Sequence, residues 1–275
     1  MTWDRSVRAD VEDSVHQMRV TIRTIRSLLQ ASASAFGLTD DAAILDELRE
    51  LAGLLGTARD AEVLADRYQR ALDDLPKDLV HGPIHERLIG DAHERYRAGW
   101  RKSLRVMRSE RYFRLLDALD GLIAADAYST PVDENREAAA TIADGYKRVH
   151  RRAKAAAAAD AEHRDVALHR IRKSAKRLRY TAAVAGAEKV AEAAKTIQAL
   201  LGDHQDSVVS RGYLAERAGV AHAAGEDTFT YGVLHQREQD LAREREQQLP
   251  AALKTLDDAV RTTRNAHSRR HHGPG

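Results

Sequence analysis

Two fifteen-residue segments carry residues suited to the same chemistry. VHQMRVTIRTIRSLL (15–29) and LHRIRKSAKRLRYTA (168–182) each set a histidine at the head of a row of cations. The rows are His16, Arg19, Arg23, Arg26 and His169, Arg172, Lys176, Arg179. Spacings of three and four place each row along one side of a helix. Each row runs over eleven residues, or ~15 Å at the helical rise. A guanidinium fork bonds two oxygens of a phosphate at once, and lysine adds a point charge. Neither row contains an acid, so each offers a track for a ligand with repeating negative charge. With an ordinary pKa of about 6.5, the histidines have two readings. They donate to an anion and become cationic beside it, or they satisfy backbone groups at a helix start.

An apolar seam must hold each row. Val15, Met18, Ile22, Ile25 and Leu29 form the first, and Leu168, Ile171, Ala175, Leu178 and Ala182 the second. Each cation row follows its seam by one residue, a rotation of about 100°. A solvated face normally lies opposite the core. These cations lie beside it, which predicts that they flank a cleft between packed helices. Lys173 and Arg177 form a neighbouring row that widens the groove. Arg101, Arg105 and Arg108, and likewise Lys147, Arg151 and Lys154, stack at i, i+4, i+7 and are further lining candidates.

The 275 residues suffice for one large helical domain or two fused halves. Apolar residues make up 43% of the chain and aromatics 5%, with five prolines. That balance favours an all-α fold over sheets. Cysteine is absent, so no disulfide or cysteine-based metal site forms. No apolar run approaches the ~20 residues of a membrane span, and the N-terminus lacks a secretory apolar stretch. A soluble cytoplasmic protein is expected.

The net charge of +2 hides segregation. Window 95–114 holds eight Arg and Lys against Glu110, window 164–179 seven against Asp165, and window 147–154 five with no acid. Segments 40–50 and 226–246 hold much of the compensating acid. Clustered cations attract anions better than a mixed surface does.

Breakers divide the chain into about ten helices. Phe36–Asp40 ends the first long helix and caps the next. Leu55-Gly56-Thr57 reads as a break, and Pro76, Gly82 and Pro83 as a loop. Helices are expected over about 84–108 and 109–126. After a linker at 127–135 they are expected over 136–160, 164–185, 188–201, 204–218, 226–248 and 250–263. The tail 264–275 reads as disordered, with its histidines His267, His271 and His272 solvated. This gives one domain over 1–263, with halves 1–126 and 136–263.

The repeat reaches beyond the cation rows. LLGTARDAEV (54–63) matches LLGDHQDSVV (200–209), pairing Gly56 with Gly202 and Asp60 with Asp206. Both glycines read as tight breaks, and both aspartates as helix caps or partners of an arginine. The halves then diverge in charge. Two similar halves predict pseudo-two-fold symmetry around a central basic groove. A basic helix precedes His169, but only about a dozen residues precede His16, so a first-half helix is expected to be missing.

These segments resemble the CHAD family, the conserved-histidine α-helical domain. The matching pieces are VHQMRVTIRTIRSLL, LLGTARDAEV, SERYFRLLDAL, LHRIRKSAKRLRY and LLGDHQDSVV, in the expected order and across nearly the whole chain. The resemblance implies two helical bundles around a basic surface. It further implies inorganic polyphosphate as the ligand, and binding and targeting, to granules included, instead of catalysis. Arg59 joins the binding set. Gln205 stands in its place in the second half, which implies a weaker side. The family's frequent companion, a triphosphate tunnel domain marked by Glu-x-Glu-x-Lys, has no counterpart in this sequence.

Two other functions are less compatible with the residues. A nucleic-acid binder would stack bases on aromatics, which are few and not interleaved with the rows. A phosphohydrolase would gather carboxylates around a metal or pair a nucleophile with a base, and no such cluster stands out. No cofactor or metal is expected.

Overall fold

The computed structural model describes residues 2–31, 43–124 and 134–270. Among these the chain is all-α. It divides into two compact units, Met1–Thr130 and Pro131–Gly275.

In the first unit, α1 (Thr2–Arg8) is a helix of seven residues, and α2 (Ser14–Ala31) carries the first cation row. The turn between them is left-handed at Asp10 and Asp13 (φ 50° and 59°), a conformation that aspartate tolerates better than most residues. Next come α3 (Ala43–Asp73), a 3₁₀ turn (Lys77–Leu79) and a π-helical turn (Glu86–Gly90) that runs straight into α4 (Asp91–Met107). A fifth helix, α5 (Glu110–Ala124), completes the unit. The α2 seam is buried at Val15, Met18, Ile22 and Leu29, against Leu45, Leu48 and Leu55 of α3 and Leu104 and Met107 of α4. Where α3 meets α4, a β-carbon on Gly99 would stand 2.9 Å from the Ala58 nitrogen. Only glycine lets the two backbones come so close.

In the second unit, α6 (Glu134–Ala157), α7 (Ala161–Val184), α8 (Glu188–Ala223) and α9 (Phe229–Arg270) follow in order. Asp160 caps α7 by accepting from the His163 N–H at 2.9 Å. The helix ends where Gly186 turns left-handed (φ +66°) and Ala187 donates to the Ala182 carbonyl. That is a Schellman closure, repeated at the end of α8 by Gly225. All five seam residues of α7 are buried, with Ile142 and Val149 of α6, Ile197 and Leu201 of α8, and Leu249 and Leu256 of α9.

Three expected breaks do not occur. Gly56 lies inside continuous α3 and Gly202 inside continuous α8. The buried faces run unbroken through them: Leu51, Leu55, Ala58 in one and Ile197, Leu201, His204 in the other. A helix interior costs glycine only about 1 kcal/mol relative to alanine, less than a packed face supplies. Pro250 lies inside α9. A proline removes one hydrogen bond and crowds the preceding turn, but Leu249, Ala252 and Leu256 are buried together across it. The last helix also continues to Arg270, through 264–270, which the sequence assigned to a disordered tail. The expected cap at Phe36–Asp40, linker residues 127–133, and His271 and His272 lie outside the described residues.

Candidate anion-binding rows

Packing on α3 fixes the first row. Arg19 is half-buried, and its guanidinium lies against Gly56. A β-carbon at Gly56 would be 3.5 Å from both Nε and Nη2 of Arg19. The second row repeats the contact: a β-carbon at Gly202 would be 3.5 Å from Arg172 Nε. Each glycine is thus a flat seat on the neighbouring helix for the first arginine after the histidine. The Nε atoms of Arg19, Arg26 and Arg172 are buried and make no hydrogen bond. Arginines packed this way have already lost side-chain freedom, which lowers the ordering cost of binding. Such a preset guanidinium suits recognition of an oxyanion.

The other residues of the two rows and their neighbours differ in exposure. Arg23, Lys173 and Arg177 are exposed, while His16, Arg26, Lys176 and Arg179 are half-buried. Arg179 reaches Gln198 only at 3.5 Å. A side-chain hydrogen bond with Gln205 favours the protonated ring of His169, and its Nδ1 is buried and unbonded. Burial, and then the charges of Lys173 and Arg172, hold its pKa below the ordinary value. His169 is therefore neutral at pH 7, and an anion that offsets its cationic neighbours raises its proton affinity.

One acid from α3 reaches the first row although the row contains none. Asp60 Oδ1 accepts from Arg19 Nη1 at 3.4 Å, so this aspartate is a partner of an arginine from inside a helix and is not a cap. Arg59 is committed internally, to Glu62 at 2.7 Å and Asp13 at 3.7 Å.

Arg101, Arg105 and Arg108 are exposed. Arg105 lines a hollow of about 520 Å³ with Lys102, Glu47, Glu50 and Arg111, and no residue of the α2 row takes part. Arg111 is bound there by Glu47 (2.6 Å) and Glu50 (2.5 Å). Lys147 and Arg151 point outward from α6, with Lys147 3.7 Å from Asp144. On the inner side of α6, Tyr146 and His150 both reach Asp257 Oδ1 of α9, at 3.0 and 2.6 Å. Arg164 belongs to the architecture as well, donating to Glu246 at 2.7 Å and to the Ala156 carbonyl.

Sequence reasoning missed two features. One is the pairing of each glycine with an arginine, which no linear spacing reveals. The other is His204, buried on α8 where the first repeat has Ala58. Its Nε2 stands 3.6 Å from Asp165 Oδ1. Burial lowers its pKa, against the opposing pull of Asp165 and Glu246. Among the described residues no three His, Asp or Glu gather as metal ligands would. No described helix is long and apolar enough to cross a membrane.

An all-α protein with a histidine-led cation row on a packed helix in each unit is what a CHAD domain is expected to be. The chain belongs to that family: the profile described as "CHAD domain" matches residues 1–215. It is 58% identical over 269 residues to two uncharacterized proteins of Mycobacterium tuberculosis, from strains CDC 1551 / Oshkosh and ATCC 25618 / H37Rv. The match covers 96% of this chain and 52% of each relative, so the chain spans about half the length of the curated relatives it matches. Its fold is similar to the crystal structure of the CHAD domain from the plant Ricinus communis. That match has a TM-score of 0.61 and 22% identity, covering 94% of this chain and 86% of the plant chain.

Proposed function

We propose that this protein binds inorganic polyphosphate without transforming it, and so targets whatever carries it to polyphosphate, granules included. The family to which the chain belongs is associated with polyphosphate binding in general. The observation that carries the reading is the arginine seat made twice, Arg19 on Gly56 and Arg172 on Gly202. Each seat anchors a row of cations ~15 Å long, matched to a ligand whose charge repeats along a chain and which has no base edges to read. The rows offer donors and point charges but no paired nucleophile and base, which supports binding over turnover.

Calorimetry with long-chain polyphosphate at two salt concentrations, with single-stranded RNA for comparison, tests this. Tight binding that weakens steeply with salt, by release of counterions, and that RNA does not match is expected. Equal affinity for RNA would mean a general polyanion surface. Phosphate release above that of a variant with Arg19, Arg23, Arg172 and Lys176 all changed to Glu would make the protein an enzyme.

A further inference from the structure

The row on α7 has a feature that the row on α2 lacks. Tyr180 lies eleven residues after His169, about three helical turns, and so projects from the same side as His169, Lys173 and Lys176. Its ring is exposed, at 54%. The Arg179 guanidinium carbon lies 5.5 Å from the ring centroid and Lys176 Nζ lies 6.0 Å from it, both within cation–π range. The corresponding position on α2 is Ser27. The second row is therefore a cation track that ends in a solvent-facing aromatic platform.

Resting on the polyphosphate reading of this row, we propose that the α7 row also binds nucleoside triphosphates, with the base stacked on Tyr180 and the phosphates running back along the cations. The order fits the ligand's connectivity. Lys176 lies one turn from the tyrosine and Lys173 about two, at ~5.4 Å per turn, and Arg172 is seated on Gly202 beyond them. Phosphates leaving a base stacked at Tyr180 meet those cations in sequence. The base contributes through its π-face, so purine triphosphates bind without selection among exocyclic groups. The α2 row, with serine at that position, takes only the phosphate chain.

Titration of the protein with ATP and with inorganic tripolyphosphate, without added metal, separates base from phosphate. The native protein should bind ATP more tightly by roughly five- to a hundredfold, the span that stacking a base on an aromatic side chain provides. Tyr180→Ser should bring the ratio of the two affinities to near one, and Tyr180→Phe, which keeps the platform, should preserve it. ATP binding no tighter than tripolyphosphate, or a ratio that survives Tyr180→Ser, would overturn the proposal. Long-chain polyphosphate, titrated into the native protein alongside, distinguishes the two failures. If it binds while ATP gains nothing, only the nucleotide inference falls. If it does not bind, the polyphosphate reading falls with it.

Discussion

Arg172 rests against Gly202, its Nε 3.5 Å from the point where a β-carbon would stand. A methyl group fits at that distance, but a larger side chain does not. Gly202→Ala should leave Arg172 in place and stabilise α8 by up to about 1 kcal/mol through helix propensity, seen as a higher Tm. Gly202→Leu should displace the guanidinium and lower polyphosphate affinity several-fold in calorimetry. Equal affinity for the two variants would show that the seat does not position the arginine.

Gly99 answers differently to the same change. Its β-carbon would lie 2.9 Å from a backbone nitrogen of α3, and backbone cannot swing aside. Gly99→Ala should cost about 1–3 kcal/mol, the usual range for overpacking, measured by urea denaturation. A neutral result would mean that α4 can slide on α3.

If Arg19 binds polyphosphate as proposed, Asp60 competes with the ligand for it. The pair is 3.4 Å apart and the aspartate is mostly exposed, so its loss should cost no more than ~1 kcal/mol of stability. Asp60→Asn should raise polyphosphate affinity, by about two- to fivefold for one carboxylate removed from beside a cation row. A fall in affinity would mean that Asp60 is needed to aim Arg19.

The salt dependence of binding should count the cations in use. By the counterion-release relation, the slope of log affinity against log salt should drop by roughly one for each cation removed. Arg172→Gln with Lys176→Gln should lower it by about two, and adding Arg19→Gln by about one more. An unchanged slope after all three would place the ligand elsewhere.

Two histidines set the pH behaviour. The pKa values of His169 and His204 are both held below the ordinary 6.5, chiefly by burial. The unfolded chain therefore binds more protons than the folded one just below pH 6.5. Stability is at its full value above that pH and falls as pH drops from 6.5 towards the folded-state pKa values. Tm should decline in that window, and His204→Ala should reduce the decline. Polyphosphate bound along this row, as proposed, would raise the His169 pKa, so affinity should increase as the pH falls towards and below 6.5. His169→Gln should remove that increase.

How far the sequence reached differs from element to element. The seams of α2 and α7 were legible because a buried face repeats every three or four residues, whatever packs on it. Val15, Met18, Ile22 and all five α7 positions are accordingly buried. The breaks at Gly56, Gly202 and Pro250 were misread because local propensity was weighed without the faces that pack across them. The ion pairs of Arg59 with Glu62, and of Arg111 with Glu47 and Glu50, were not legible in the sequence. Among these partners, Glu47 and Glu50 lie more than sixty residues from Arg111.

What the sequence by itself determined was the helical class, the family and the two histidine-led rows, because periodicity and residue type are properties of short stretches of chain. Only the tertiary structure decided which cations are available. An arginine is equally charged everywhere. Whether it meets an anion depends on what the neighbouring helix presents at that height: a glycine alone, as for Arg172 on Gly202, a glycine with an exposed carboxylate beside it, as for Arg19 with Gly56 and Asp60, or carboxylates that bind it outright, as for Arg111 and Arg164.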